Sequence, residues 1–267
     1  MPSVNTKRIE ESATTALKAA LLRCPILESY IDSNDKTPSW DGTVFVYKSD
    51  KTKKDNLAGR VPIQIKGTEK VIVSDTAAFS CSVADLRNYY KDGGCVFFLI
   101  SVDLNSGNSR IFYKTLLVVD LDKIIKGTGK RKTITIHLNL FPTEANEISS
   151  IFMQFTDNAH KQMGFIGKDI PTFESLEANG AEITSLTFTA SGIGLTWDEV
   201  PKFLSTHDFY LYAKVKGLDV DVPIDKVTKA IISKPVDGEV RVKERCFFPA
   251  YQVVYENGKP HIRIGKG

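Results

Sequence analysis

Cysteine and histidine are both scarce in this chain, four of each in 267 residues, and neither is grouped. Cys24, Cys81, Cys95 and Cys246 form no C-x-x-C pair and sit mostly in apolar company, which reads as reduced, buried thiols and sets aside a disulfide framework or a zinc site. His137, His160, His207 and His261 show no H-E-x-x-H or other ligand spacing, so a transition-metal centre is not expected. Long apolar runs are missing too: none approaches the ~18 residues of a membrane helix. Residues 1–10 lack the apolar core of a secretion signal. The expectation is a cytoplasmic chain with no membrane partner. No G-x-S-x-G element occurs, and a Walker pattern fails at 162–169, where Gln162 stands in place of the first glycine and Asp169 in place of Ser or Thr.

What is present suffices for a packed core: 42% of residues are hydrophobic and 10% aromatic. A net charge of +3 is only mildly basic, so distribution says more than the total. Residues 41–70 carry seven basic side chains against four acids, and 123–132 carry five and none. Lys51, Lys53, Lys54 and Lys70 are candidate phosphate contacts to nucleic acid, with a solvated lysine loop as the alternative.

Along the chain, residues 6–23 read as an amphipathic helix, with Ile9, Ala13, Ala16, Leu17, Ala20 and Leu21 at three- and four-residue intervals, ended by Cys24-Pro25. Strands are expected over 27–31, 43–47 and 60–66, joined by polar connections at 32–38 and 48–59. Extended segments at 71–73 and 79–83 precede a short helix over 84–90 that Asp92-Gly93-Gly94 stops. The continuous apolar run 95–102 predicts a central strand covered on both faces, with 110–113 as its hairpin partner. A helix over 116–125 and a strand over 133–138 complete a first domain, 1–142. A helix over 143–163, with Ile148, Ile151, Phe152 and Phe155 on one stripe, opens a second region, 143–267. Its short runs at 185–190, 208–215, 246–255 and 261–264 give it a β-rich texture. No cluster with catalytic spacing is visible there, so assembly with a protein partner or another copy is its expected role. The chain stops just beyond its last run, which is either a terminal strand tucked into a sheet or a point where more protein follows.

The chemistry concentrates between 39 and 67. Asp41 stands at the mouth of one strand, and Gln64 and Lys66, two apart, share a face of the next. An acid, an amide and an amine can thus converge at one end of a sheet, a constellation suited to phosphodiester cleavage with a metal ion. Spacing alone equally describes an edge strand that shows Gln64 and Lys66 to water, and Pro62 fits an edge. Glu10 and Glu11 fall in the first turns of the opening helix, where the dipole favours negative charge. Glu10, which borders the apolar stripe, is the candidate further acid for the site.

Four segments in this order, P-S-W-D-G at 38–42, V-P-I-Q-I-K-G at 61–67, D-L-R-N-Y at 85–89 and G-G-C-V-F-F-L-I at 93–100, carry a resemblance. The chain resembles the PD-(D/E)xK, restriction-endonuclease-like nuclease superfamily, as found in N-terminal nuclease-like domains of prokaryotic phage-defence proteins. The likeness runs over residues 7–140. It implies an α/β fold with an αβββαβ core and mixed sheet, followed by a smaller β-rich domain. It also implies a Mg²⁺-dependent endonuclease acting on DNA, with Mn²⁺ as a substitute. By the same likeness Asp41, Gln64 and the Ile65 carbonyl would bind the metal, and Lys66 would orient the attacking water. Gln64 stands where the family usually has Glu, which lowers the charge on the metal. A weaker site that fills with substrate phosphate in place, or a scaffold that binds without cutting, follows from that departure.

Overall fold

Nine consecutive buried residues, Gly94–Val102, make the axis of the fold. The computed structural model describes residues 4–31, 39–192, 195–196, 198–228 and 230–264, so the expected connection at 32–38 lies outside the described residues. The described chain divides into two compact units, Met1–Ile170 with Ser191–Ile193, and Pro171–Ala190 with Gly194–Gly267.

In the first unit the order is α1 (Val4–Leu21), β1 (Leu27–Ile31), β2 (Gly42–Tyr47), β3 (Leu57–Thr68), β4 (Thr76–Ser82), α2 (Val83–Lys91), β5 (Gly94–Val102), β6 (Ser109–Leu117), α3 (Val118–Lys126), β7 (Thr133–Leu140) and α4 (Ala145–Gln162). The strands form one seven-stranded sheet in the order β1-β2-β3-β5-β6-β7-β4. Only β3 and β5 run parallel, with Gln64 beside Phe97 and Lys66 beside Leu99. Strands β1 to β3 form an antiparallel meander. The expected αβββαβ order is thus present, with β4 inserted before the second helix and carried to the far edge of a mixed sheet.

Side-chain parity assigns the faces. A Cβ on Gly67 would lie 2.7 Å from Ile9 Cγ2 and 3.1 Å from the Ile9 carbonyl, so only glycine lets α1 lie this close to β3. Odd-numbered residues of β3 therefore face α1, where Ala13, Leu17 and Leu21 are buried. Even-numbered residues face the other layer, where α2 packs with α3 over Cys95, Phe97, Leu99, Phe112 and Leu116.

Four details differ from the sequence reading. The domain boundary falls at 170 instead of 142, because the buried stripe Ile148, Ile151, Phe152 and Phe155 of α4 joins the first unit, packing on β3 and β6. Val71 and Val73 are exposed and form no strand; β4 starts at Thr76. β3 begins at Leu57 and carries twelve residues, so its end is far from its start. Finally, α1 starts at Val4 and has no acid in its first turn, which removes the dipole account of Glu10 and Glu11. Glu11 pairs with Lys7 at 3.8 Å instead.

The second unit is β-rich, as expected. After α5 (Phe173–Ala178) come β8 (Ile183–Thr187), α6 (Val200–Thr206), β9 (Phe209–Val215) and β10 (Val222–Val227), then β11 (Ile232–Val236), β12 (Val240–Val242), β13 (Arg245–Phe248), β14 (Tyr251–Glu256) and β15 (Lys259–Arg263). They make two three-stranded sheets, β10-β9-β8 and β11-β14-β15, and one hairpin, β12-β13. Phe209, Tyr212, Ala213, Val222 and Ile224 supply the buried side chains of the first of these sheets.

Candidate active site

The turn that delivers Asp41 to the sheet is built by residues on both sides of it. Gly42 follows at once, and a Cβ there would stand 2.9 Å from Ile31 Cα in the neighbouring strand, so a glycine is required where β2 meets β1. Ser39 precedes it at φ 73°, a left-handed conformation that costs a serine about 1 kcal/mol. Two residues of α2 hold it there: Ser39 Oγ donates to Asp85 Oδ1 at 2.7 Å, and Asn88 Nδ2 donates to Ser39 Oγ at 2.9 Å. Between them Trp40 lies edge-on to Tyr89, ring centroids 6.1 Å apart, and its buried Nε1 has no hydrogen-bond partner among the described residues.

Asp41 then docks on β3. Its backbone N–H donates to the Ile63 carbonyl at 3.0 Å, and its carboxylate accepts the Ile65 N–H at 2.7 Å and a short hydrogen bond from Gln64 Nε2. Gln64 is 3% exposed. Its Nε2 also lies 3.3 Å from the Ile65 carbonyl oxygen, while its Oε1 accepts from the Tyr89 hydroxyl at 3.3 Å. Every polar atom of the buried amide is thus matched, as burial requires.

Two residues on, Lys66 reaches the exposed end of the same face, and among the described residues it makes no hydrogen bond or ion pair. Its charge is felt nearby. Burial pushes the Cys81 thiol up to about 12, Asp85 adds to the rise and Lys66 opposes it. Burial, followed by neighbouring negative charge, raises the Tyr89 phenol well above its ordinary value, so the hydroxyl stays neutral. Cys95, fully buried, is raised first by burial and then by Asp41.

The structure thus brings Asp41, Gln64 and the Ile65 carbonyl together and sets Lys66 beside them on one face. Among the described residues no hydrogen bond or ion pair links Glu10 to Asp41, Gln64 or Lys66; Glu10 is exposed on α1, the helix that covers the odd-numbered face of β3, whereas Gln64 and Lys66 point to the α2 side. Lys51, Lys53 and Lys54 are also apart: they sit in the β2–β3 turn, at the opposite end of the hairpin from Asp41. Nine residues of strand separate Leu57 from Lys66, roughly 30 Å at ~3.3 Å per residue. Lys70, exposed two residues past the end of β3, is at the site's end; its carbonyl accepts from Ser101 Oγ at 2.7 Å.

The helix at 84–90 is legible in the sequence, whereas its part in holding the site is not. Tyr89 reads as a packing aromatic and Asp85 as a helix cap or an acid behind the site; the cap is Ser82, whose side chain accepts from the Ala84 N–H. The signal was available in D-L-R-N-Y: Asp85, Asn88 and Tyr89 are three and four residues apart and so share one stripe of a helix.

As a metal centre the donors are oxygen-rich but few. Among the described residues no group of three or more His, Cys, Asp or Glu can hold a metal ion. One carboxylate, one amide oxygen and one carbonyl match magnesium, which takes one or two carboxylates and completes its shell with water and phosphate. The match requires the Gln64 amide to turn its oxygen toward Asp41. Comparison with protein-family models, curated proteins and solved structures gave no match for this chain.

Proposed function

We propose that the chain is a metal-dependent endonuclease that hydrolyses phosphodiester bonds in DNA and serves antiviral or anti-plasmid defence. The observation that carries this reading is the meeting of Asp41 and Gln64 at the mouth of β2, with Lys66 exposed on the same face. Asp41, the inverted Gln64 amide and the Ile65 carbonyl would hold Mg²⁺ or Mn²⁺, leaving positions for water and a substrate phosphate. Such an ion would supply Lewis acidity and a bound water more acidic than bulk water. Lys66 orients that water and offsets the charge that develops on the phosphoryl oxygens. Lys70 contacts a neighbouring phosphate, and the β-rich unit assembles with a second copy or a partner protein.

Supercoiled plasmid incubated with the purified chain tests this. Nicking is expected with Mg²⁺ or Mn²⁺ and not with a chelator. Lys66→Ala should slow it about 100-fold, the scale of losing one charge-stabilising group. Glu10→Gln should leave the rate within about twofold. The orientation of the Gln64 amide favours a second reading, a nuclease-derived scaffold that binds DNA or a partner protein without cutting, because Asp41 is already matched by N–H donors. Retention of DNA on the protein with no nicks under any divalent cation would select the scaffold.

A further inference from the structure

We infer that Gln64 is a two-position switch that turns its amide over when a divalent cation meets Asp41, and that the Tyr89 hydroxyl is the positioning group that supports both positions. The inference rests on the metal-binding part of the proposed function. Its starting point is the sandwich: a buried amide with Asp41 at its nitrogen and the Tyr89 hydroxyl 3.3 Å from its oxygen. The two ends of a carboxamide have nearly the same shape, so half a turn about the terminal bond exchanges them without moving a carbon atom. Without a cation, the Asp41 carboxylate can only accept, so it takes the NH₂ end. The oxygen then needs a donor, and the hydroxyl gives one. A cation on Asp41 reverses the preference, repelling the N–H dipoles and attracting the oxygen. The NH₂ end must then find an acceptor where the oxygen was, and the same hydroxyl has lone pairs to offer.

A backbone N–H in that place could serve only the first position, and a carbonyl only the second. A phenol hydroxyl can donate and accept, so it serves both, and Tyr89 stands 3.3 Å from the amide oxygen. The surroundings stay still while the amide turns. Trp40 packs on the Tyr89 ring, and Asp85 and Asn88, on the same stripe of α2, fix Ser39. Phenylalanine at 89 would penalise the positions unequally. Without a cation one carbonyl oxygen would lack a donor, and the NH₂ would keep Asp41 and the Ile65 carbonyl. With a cation the N–H that the hydroxyl accepts would be left without an acceptor, the rarer and costlier fault in a buried site.

Mn²⁺ binding to the full chain, read from the free-ion resonance signal without any substrate, tests the switch. Tyr89→Phe should weaken Mn²⁺ binding roughly tenfold. In the Gln64→Glu background, where a carboxylate offers oxygen at both ends and nothing needs to turn, the same change should cost less than about twofold. Equal losses in the two backgrounds would make Tyr89 a packing residue and overturn the switch. Absence of Mn²⁺ binding in both the unaltered chain and Gln64→Glu would overturn the metal-dependent function as well. A readout on the unaltered chain covers the case in which Tyr89→Phe does not fold. The side-chain NH₂ signals of Gln64, assigned by their loss in Gln64→Glu, should shift on saturation with Mg²⁺ as judged by displacement of Mn²⁺. Signals that stay in place at saturation would overturn the inversion while leaving the metal site standing.

Discussion

Thiols line the inner side of the candidate site, and their burial decides what they can do. Cys81 and Cys95 are 3% and 0% exposed, and Cys24 is buried beneath α1, where loss of solvent raises its thiol pKa as well. Cys246 alone of the four is exposed. Ellman's reagent at pH 8 should therefore titrate one thiol rapidly in the folded chain and four after denaturation. Fast reaction at Cys81 or Cys95 would mean that the face of α2 next to Gln64 is open. The shift also has a stability consequence with a definite sign. The Cys81 thiol is raised from 9.0 to about 12 in the folded state, so its contribution is fully present below pH 9 and is lost as pH rises toward 12. Urea unfolding should show stability falling above pH 9 with a slope of up to ~1.4 kcal/mol per pH unit for each buried thiol. Cys81→Ala should flatten that slope.

Elements differ in how openly the sequence announces them. The apolar run of β5 and the three-to-four spacing of α1 were legible because each demands one kind of covering: two-sided for the strand, one-sided for the helix. The convergence of Gln64 and Lys66 was legible for the same reason, since strand parity is local. Which sheet face a helix covers is not local. The periodicity of α1 placed Glu10 near its apolar stripe, and nothing in it said that the stripe would cover the face opposite Gln64. The apolar stripe of α4 likewise demanded a partner without naming which unit would supply it. β4 pairs with β7, more than fifty residues later, at the edge most distant from its chain neighbour β3. The contact that sets the α1 face rests on one residue. Gly67→Ala should push against Ile9 and cost about 1–3 kcal/mol, visible as a lower urea midpoint at unchanged slope. A neutral result would show that α1 can shift away from β3 freely.

On the scale of the molecule, charge and site are set apart by the longest strand. The lysines of the β2–β3 turn lie near one end of β3, and Lys66 with Lys70 near the other, a separation of roughly 30 Å. A duplex rises ~3.4 Å per base pair, so the strand measures out about nine base pairs. For the DNA binding proposed above, β3 would act as a ruler: duplexes shorter than this would touch the lysine turn or the site and never both together, and longer ones would bridge the two and gain affinity as if a second ligand had been tethered to the first. Binding measured across a series of six to twenty base pairs should therefore rise in a step near nine to ten. Replacing Lys51, Lys53 and Lys54 by alanine should erase the step and leave the short duplexes bound as before.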